Sequence, residues 1–250
     1  MRAVDIVVAV PAHDEAATIG TCLESVLGAI DTARSAGVVA RARVAVSAHR
    51  CADATYRRAL AHLTERDGIE PLVQRETTTM PVGTVRTRLI RSAVAAPPEL
   101  SPDCWVLSTD ADTTVPTDWV TGLLAAARES GADLVLGLAD LAHWEAGEVA
   151  QAAYRQIVDT GIRAGRHDHV YAANLAVSWS AFRSVGGFPG LPHGEEHGLA
   201  AAVRRAGLIT VSPLQPRVET SARMPGRAAG GLGGLLIDLA AAAALADRTS

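Results

Sequence analysis

Short apolar runs alternate with stretches of helical spacing along residues 6–138, and that alternation restricts the chain to one kind of architecture. The runs at 6–10, 44–46, 69–73, 105–107 and 134–138 are rich in Val, Leu, Ile and Ala. Such runs read as strands covered on both faces. Between the first two, Ile19, Cys22, Leu23, Val26, Leu27 and Ile30 recur on one helical face, with Gly37 as a stop. Asp53 is a suitable cap for a helix over 54–66. A loop over 75–83 leads to a helix over 84–95, which Pro97–Pro98 breaks. Pro116 suits the first turn of a helix over 116–130. Strand followed by helix, repeated, predicts an α/β fold with a mostly parallel central sheet flanked by helices. With 250 residues, 48% of them hydrophobic, one core and a single domain suffice.

The second half is less regular. The spacing predicts a helix over 145–164 and a strand over 170–177 that Asn174 interrupts. A short helix over 180–185 should stop at Gly186–Gly187, and a loop over 189–194 should lead to a helix over 195–205. A strand over 208–211, a mobile Arg/Gly segment over 217–234 and an apolar helix over 235–246 complete the expectation.

The chemistry concentrates where the 105–107 strand ends, in Ser-Thr-Asp-Ala-Asp. Backbone leaving the carboxyl edge of a parallel sheet forms the rim of a ligand crevice. Asp110 and Asp112 stand on that rim as hard oxygen ligands, suited to Mn²⁺ or Mg²⁺ and through it to a diphosphate. Asp also favours turns and can end a strand for that reason alone, but the position at the end of a core strand favours the ligand reading.

Composition removes several function classes. A net charge of −4 and a pI of about 6.1 supply no basic field for nucleic acid. Cys22, Cys51 and Cys104 are odd in number and far apart, which fits neither a disulfide framework nor a zinc spacing and favours a reducing cytosol. Asp5 inside the N-terminal apolar run argues against a signal peptide. The segment 230–246 is nearly all apolar, but Asp238 and its glycines favour a docked helix over membrane contact.

Pro11-Ala12-His13-Asp14-Glu15, then Asp110-Ala111-Asp112, then Gly186-Gly187-Phe188 followed by Gly194-Glu195-Glu196 occur in that order. In order and spacing the set resembles the family 2 glycosyltransferases of GT-A fold, over nearly the whole chain to about Gly207. The resemblance implies transfer of a sugar from a nucleoside-diphosphate sugar to an acceptor hydroxyl, with inversion and with a divalent metal. It places Pro11, Ala12 and Glu15 around the base and ribose. Asp112 would ligate the metal with Asp110 beside it. Glu195 or Glu196 would supply the catalytic base, with Glu196 aligned to the position the family uses. Arg223 and Arg227 fall where the family often places basic residues near the diphosphate. Arg86 and Arg88, near a helix start, are further candidates for the diphosphate. Residues 1–115 would form the donor half, 116–215 the acceptor half, and 216–250 a closing segment with a final helix.

Three positions depart from the family pattern. His49 stands where an Asp commonly contacts the base, the acidic pair is Glu-Glu rather than Glu-Asp, and Gly198 replaces an Asp. Because Glu196 lies in a helix's first turn, the helix dipole should lower its pKa and weaken it as a base. A nucleotide-binding homologue without transferase activity and a sugar-phosphate nucleotidyltransferase remain as alternatives. The second lacks a Gly-rich, basic phosphate loop in the first strand–helix turn.

Overall fold

The structure is a computed structural model that describes residues 2–142, 144–223 and 232–247. Its first half runs β1 (Val4–Ala12), α1 (Ile19–Ser35), β2 (Val39–His49), α2 (Thr55–Thr64), β3 (Ile69–Glu76), α3 (Val82–Ala95), β4 (Trp105–Ser108), β5 (Thr113–Thr114) and α4 (Trp119–Ser130). Then follow β6 (Leu134–Leu136), β7 (Leu138–Leu141), α5 (Glu148–Thr160), β8 (Ile162–Arg163), β9 (Arg166–His167) and β10 (Leu175–Ser178). The chain ends with α6 (Trp179–Ser184), α7 (Glu195–Arg205), β11 (Thr210–Val211), β12 (Arg217–Thr220) and α8 (Leu232–Asp247).

Seven strands form the main sheet in the order β11-β6-β10-β4-β1-β2-β3. β1 pairs in parallel with β2 on one side and β4 on the other, while β10 runs antiparallel between β4 and β6. The apolar runs are continuous because both faces are covered. Ile6, Val8 and Val10 pack with α1, α2 and α4, whereas Val7 and Ala9 pack with α3, α6 and α7. Each Val or Ile among them, buried in full, contributes about 1.5–3 kcal/mol. The chain leaves β1 in both directions, to β2 and later to β4, so a crevice opens at the carboxyl ends of these three strands.

Beyond that edge lies a smaller sheet, ordered β5-β12-β7. It positions the site, because β5 begins at the residue after Asp112 and β12 ends three residues before Arg223. Thr113 and Thr220 tie the two strands through their hydroxyls at 3.0 Å.

Several expected elements differ. The run over 134–138 is two strands in different sheets, broken at Gly137, where a Cβ would meet the Asn174 side chain at 2.2 Å. Asn174 is not an interruption within a strand but a buried hub ahead of β10. It donates to Leu138 O at 2.7 Å and Pro216 O at 2.9 Å, and accepts from Trp119 Nε1 at 2.9 Å. The helix expected over 145–164 is α5 alone, followed by a β8–β9 hairpin whose turn carries Ala164 at φ 50° and Gly165 at φ 73°. Two consecutive positive φ values make the turn that matches strand twist, a signal helical periodicity does not carry. Helix α4 starts at Trp119 rather than Pro116. Asp53 does not cap α2 from the N-cap position, which Ala54 holds. Part of the segment expected to be mobile, Arg217–Thr220, is a paired strand.

Candidate active site

A cavity of about 900 Å³ opens at the carboxyl edge of β1, β2 and β4. Pro11, Ala12, Glu15 and His49 line it, as do Asp110, Asp112, Glu195, Glu196 and Arg223. Arg227 lies outside the described residues.

One wall of the cavity is built from strand ends. After β1 the backbone turns at Asp14, φ 52°, which lets its carboxylate accept from Ala52 N at 2.7 Å and Asp53 N at 3.3 Å. Asp53 answers by accepting from Ala16 N at 2.9 Å. The two turns are thereby sewn together. Asp14, Cys51 and Asp53 bring ligand atoms within 4.8 Å of one another, a grouping the sequence did not single out. Both carboxylates accept backbone amides, which accounts for the cluster as a structural tie.

His49 Nε2 lies 3.0 Å from Thr78 O, and His13 Nδ1 lies 2.8 Å from His49 O. A carbonyl only accepts, so each of those nitrogens carries the proton. In that tautomer Nδ1 of His49 is the ring's acceptor nitrogen.

Glu15 is buried, and its carboxylate accepts from Nη1 and Nη2 of Arg223, at 3.0 and 2.8 Å, and from the Thr18 hydroxyl at 2.8 Å. Arg223 also approaches Asp112 at 3.7 Å. Burial, then the Asp110 and Glu15 charges, push the Asp112 carboxyl up to about 6. Carboxylate oxygens gathered on one wall are hard ligand atoms of the kind that suit a divalent cation.

Asp110 is ion-paired with Arg86, which is enclosed at 3% side-chain exposure. Arg88 is placed elsewhere. Two residues further along the helix is about 200° around it, and Arg88 is exposed, 3.3 Å from Glu76, and not among the lining residues. Of the two arginines weighed for the diphosphate, the structure brings Arg86 to the cavity.

The start of α7 supplies another part of the lining. Gly194, at φ 73°, is its N-cap. Glu195 is buried and turns toward Arg86, while Glu196 lines the cavity with its side chain 20% exposed. Burial pushes the Glu196 carboxyl up to about 7, and the neighbouring Glu195 charge adds to the rise. The helix-end backbone and Arg86 oppose it and lose. The expected lowering by the helix dipole is thus reversed by desolvation. Gly198 also has a packing reason, since a Cβ there would meet Pro189 Cγ at 2.5 Å.

No family model and no curated protein sequence matches the chain. Solved structures do. A mannosyltransferase from Pyrobaculum calidifontis in complex with GDP-Man and Mn²⁺ is 14% identical, with a TM-score of 0.69 over 100% of this chain and 76% of that one. S. aureus TarS in complex with UDP-GlcNAc is also 14% identical, with a TM-score of 0.65 over 92% of this chain. The chain spans 61% of that TarS chain. At this identity the likeness establishes the fold, which is that of the GT-A glycosyltransferases: a mixed α/β domain around a mostly parallel sheet of seven strands.

Proposed function

We propose that the protein is an inverting glycosyltransferase moving a sugar from a nucleoside-diphosphate sugar to an acceptor hydroxyl. The observation that carries this reading is the pairing, across one cavity, of an acidic donor wall (Asp110, Asp112 and Glu15) with a carboxyl held near neutrality, Glu196. The similar mannosyltransferase and TarS structures contain GDP-Man with Mn²⁺ and UDP-GlcNAc, which supports a nucleotide-sugar donor.

In this reading residues 1–115 bind the donor. Pro11, Ala12, Glu15 and His49 surround the nucleoside, with His49 accepting from the base. Asp112, with Asp110, holds Mn²⁺ or Mg²⁺, which when bound neutralises charge on the diphosphate leaving group. Arg223 leaves Glu15 to pair with phosphate oxygens, and a guanidinium fork suits that exchange. Residues 116–215 bind the acceptor. Glu196 takes the proton from the acceptor hydroxyl as its oxygen forms the new bond to the anomeric carbon and the bond to the diphosphate breaks. A base titrating about 7 is ionised in useful proportion at neutral pH and still basic enough to accept. Of the two positions that motivate the lost-activity alternative, His49 and Gly198, the second has a packing reason, since a Cβ there would meet Pro189.

The test is calorimetry and thermal shift with UDP, GDP and TDP and their sugars, with and without Mn²⁺. A specific nucleotide should raise the Tm by mass action, more so with the cation. Failure of every nucleoside diphosphate to bind at millimolar concentration would sink the reading.

A further inference from the structure

Arg86 is enclosed, yet it stands between two separate groups of acids. Its Nη2 is paired with Asp110 and its Nη1 donates to Ser108 Oγ at 2.7 Å, both at the end of β4. Its Nε–H faces Glu195 Oε1 at 3.6 Å, beyond hydrogen-bond reach, and is buried with no hydrogen-bond partner among the described residues. A buried donor left unmade in this way is costly and rare in native folds. The helix that carries it is seated directly on the approach to α7. A Cβ on Gly83 would meet Pro189 O at 2.3 Å and Glu195 Cβ at 2.7 Å. Thr87 Oγ1 donates to Phe188 O at 3.1 Å, and Arg91 Nη2 to Gly186 O at 3.0 Å. One helix therefore holds both the carboxylate that ends β4 and the segment that delivers the acidic pair. A guanidinium is a rigid fork that can serve two acids at once, and a slight approach of α7 would complete the bond that Nε lacks.

We propose that Arg86 is a positioning residue that couples the donor wall at Asp110 to the acidic pair on α7, closing onto Glu195 when a donor engages Asp110. The ligand in this statement rests on the glycosyl-transfer reading, while the coupling between the two acids does not. Arg86 touches no reacting atom. It acts through Glu195, whose neighbour Glu196 is the proposed base. Its positive charge opposes the rise that Glu195 imposes on Glu196, so a closer Arg86–Glu195 pair would favour an ionised base with donor in place.

A double-mutant cycle tests the coupling without a ligand. Asp110→Asn and Glu195→Gln, singly and together, are unfolded in urea. A shared cation predicts a combined effect on the folding equilibrium constant that departs from the product of the single effects by about tenfold. Hydrogen exchange on the wild-type chain, with UDP or GDP and Mn²⁺, gives a readout that an arginine of purely structural role would not move. The amides of 195–199 should slow about fivefold or more as local opening becomes rarer. That response should vanish in Arg86→Lys while calorimetry shows nucleotide binding retained, because a single ammonium nitrogen on a shorter reach lacks the planar spread by which Nη2 and Nε face the two acids. Additive effects in the cycle overturn the proposal, as does confirmed nucleotide binding that leaves 195–199 unchanged in the wild type. A non-additive cycle in a chain that binds no nucleoside diphosphate upholds the coupling and counts against glycosyl transfer.

Discussion

Replacing Glu196 by Gln should stabilise the protein at alkaline pH while removing its activity. The carboxyl titrates about 7 in the fold, against a model-compound value of 4.5. Its side chain is 20% exposed, so solvent screening discounts the shift little. At about 1.4 kcal/mol for each decade of proton affinity, the difference is worth roughly 3 kcal/mol. The folded state here binds the proton more tightly than the unfolded chain. Stability is therefore greatest below the unfolded value and falls as pH rises from 4.5 through about 7. Gln is neutral at every pH and nearly the shape of a protonated Glu. The variant should match the wild type within about 1 kcal/mol at pH 4 and exceed it by about 2–3 kcal/mol at pH 8. Urea unfolding of both proteins across that range measures the difference, and the Asp112 contribution cancels because both chains carry it. Turnover in the variant should drop by roughly 10²–10⁴-fold with donor affinity near wild type. Parallel stability profiles, with no widening gap between pH 5 and 8, would show that Glu196 is ionised normally and would remove the reason for choosing it as base.

Nucleotide affinity in the presence of Mn²⁺ should weaken on chelation, in Asp112→Asn, and as pH falls through about 6, where protons compete for the Asp112 carboxylate. Pyrophosphate-containing ligands titrated by calorimetry at pH 5 and 8 check this, and equal affinities would take Asp112 out of the donor site. Arg223→Ala strips the buried Glu15 of its bidentate partner, so urea unfolding should show a loss of about 1–3 kcal/mol, and UDP or GDP binding should weaken as well. Unchanged stability would mean that Glu15 finds other partners. Gly198→Asp introduces the residue common at this position in the family the sequence resembles, but drives a Cβ to 2.5 Å from Pro189. It should cost about 1–3 kcal/mol with no gain in turnover, and a faster enzyme would show that Gly198 is a lost acid after all.

The parts of this fold legible in the sequence are those where local pattern and tertiary environment agree. Runs buried on both faces at 6–10 and 105–107 announce a parallel sheet, and Asp110 and Asp112 announce its carboxyl edge. What stayed hidden depends on contacts between distant residues. Asn174 looked like a fault in a strand because its three buried hydrogen bonds reach 36, 42 and 55 residues away. Arg86 and Arg88 are indistinguishable by type and spacing, and only the orientation of α3 on the sheet decides which one enters the cavity. Glu15 was assigned to the nucleoside with no hint of Arg223, which is 208 positions further along.

Those hidden contacts determine how the site manages its charge. Asp110, Asp112, Glu15, Glu195 and Glu196 meet Arg86 and Arg223 around one cavity, an excess of three carboxyls over guanidiniums. A buried region cannot hold that excess as free charge. Two of the acids respond by gripping their protons, Asp112 to about 6 and Glu196 to about 7. Both guanidiniums are taken up by acids other than these two: Arg223 pairs with Glu15 and Arg86 with Asp110. A positive ligand charge at the donor wall would therefore act in two places. It would release the proton from Asp112 directly, and by relieving Asp110's hold on Arg86 it would leave that guanidinium free for Glu195. In the proposed reading, the acidity that is costly at Asp110, Asp112 and Glu15 would also let a cation bound there be felt at Glu196.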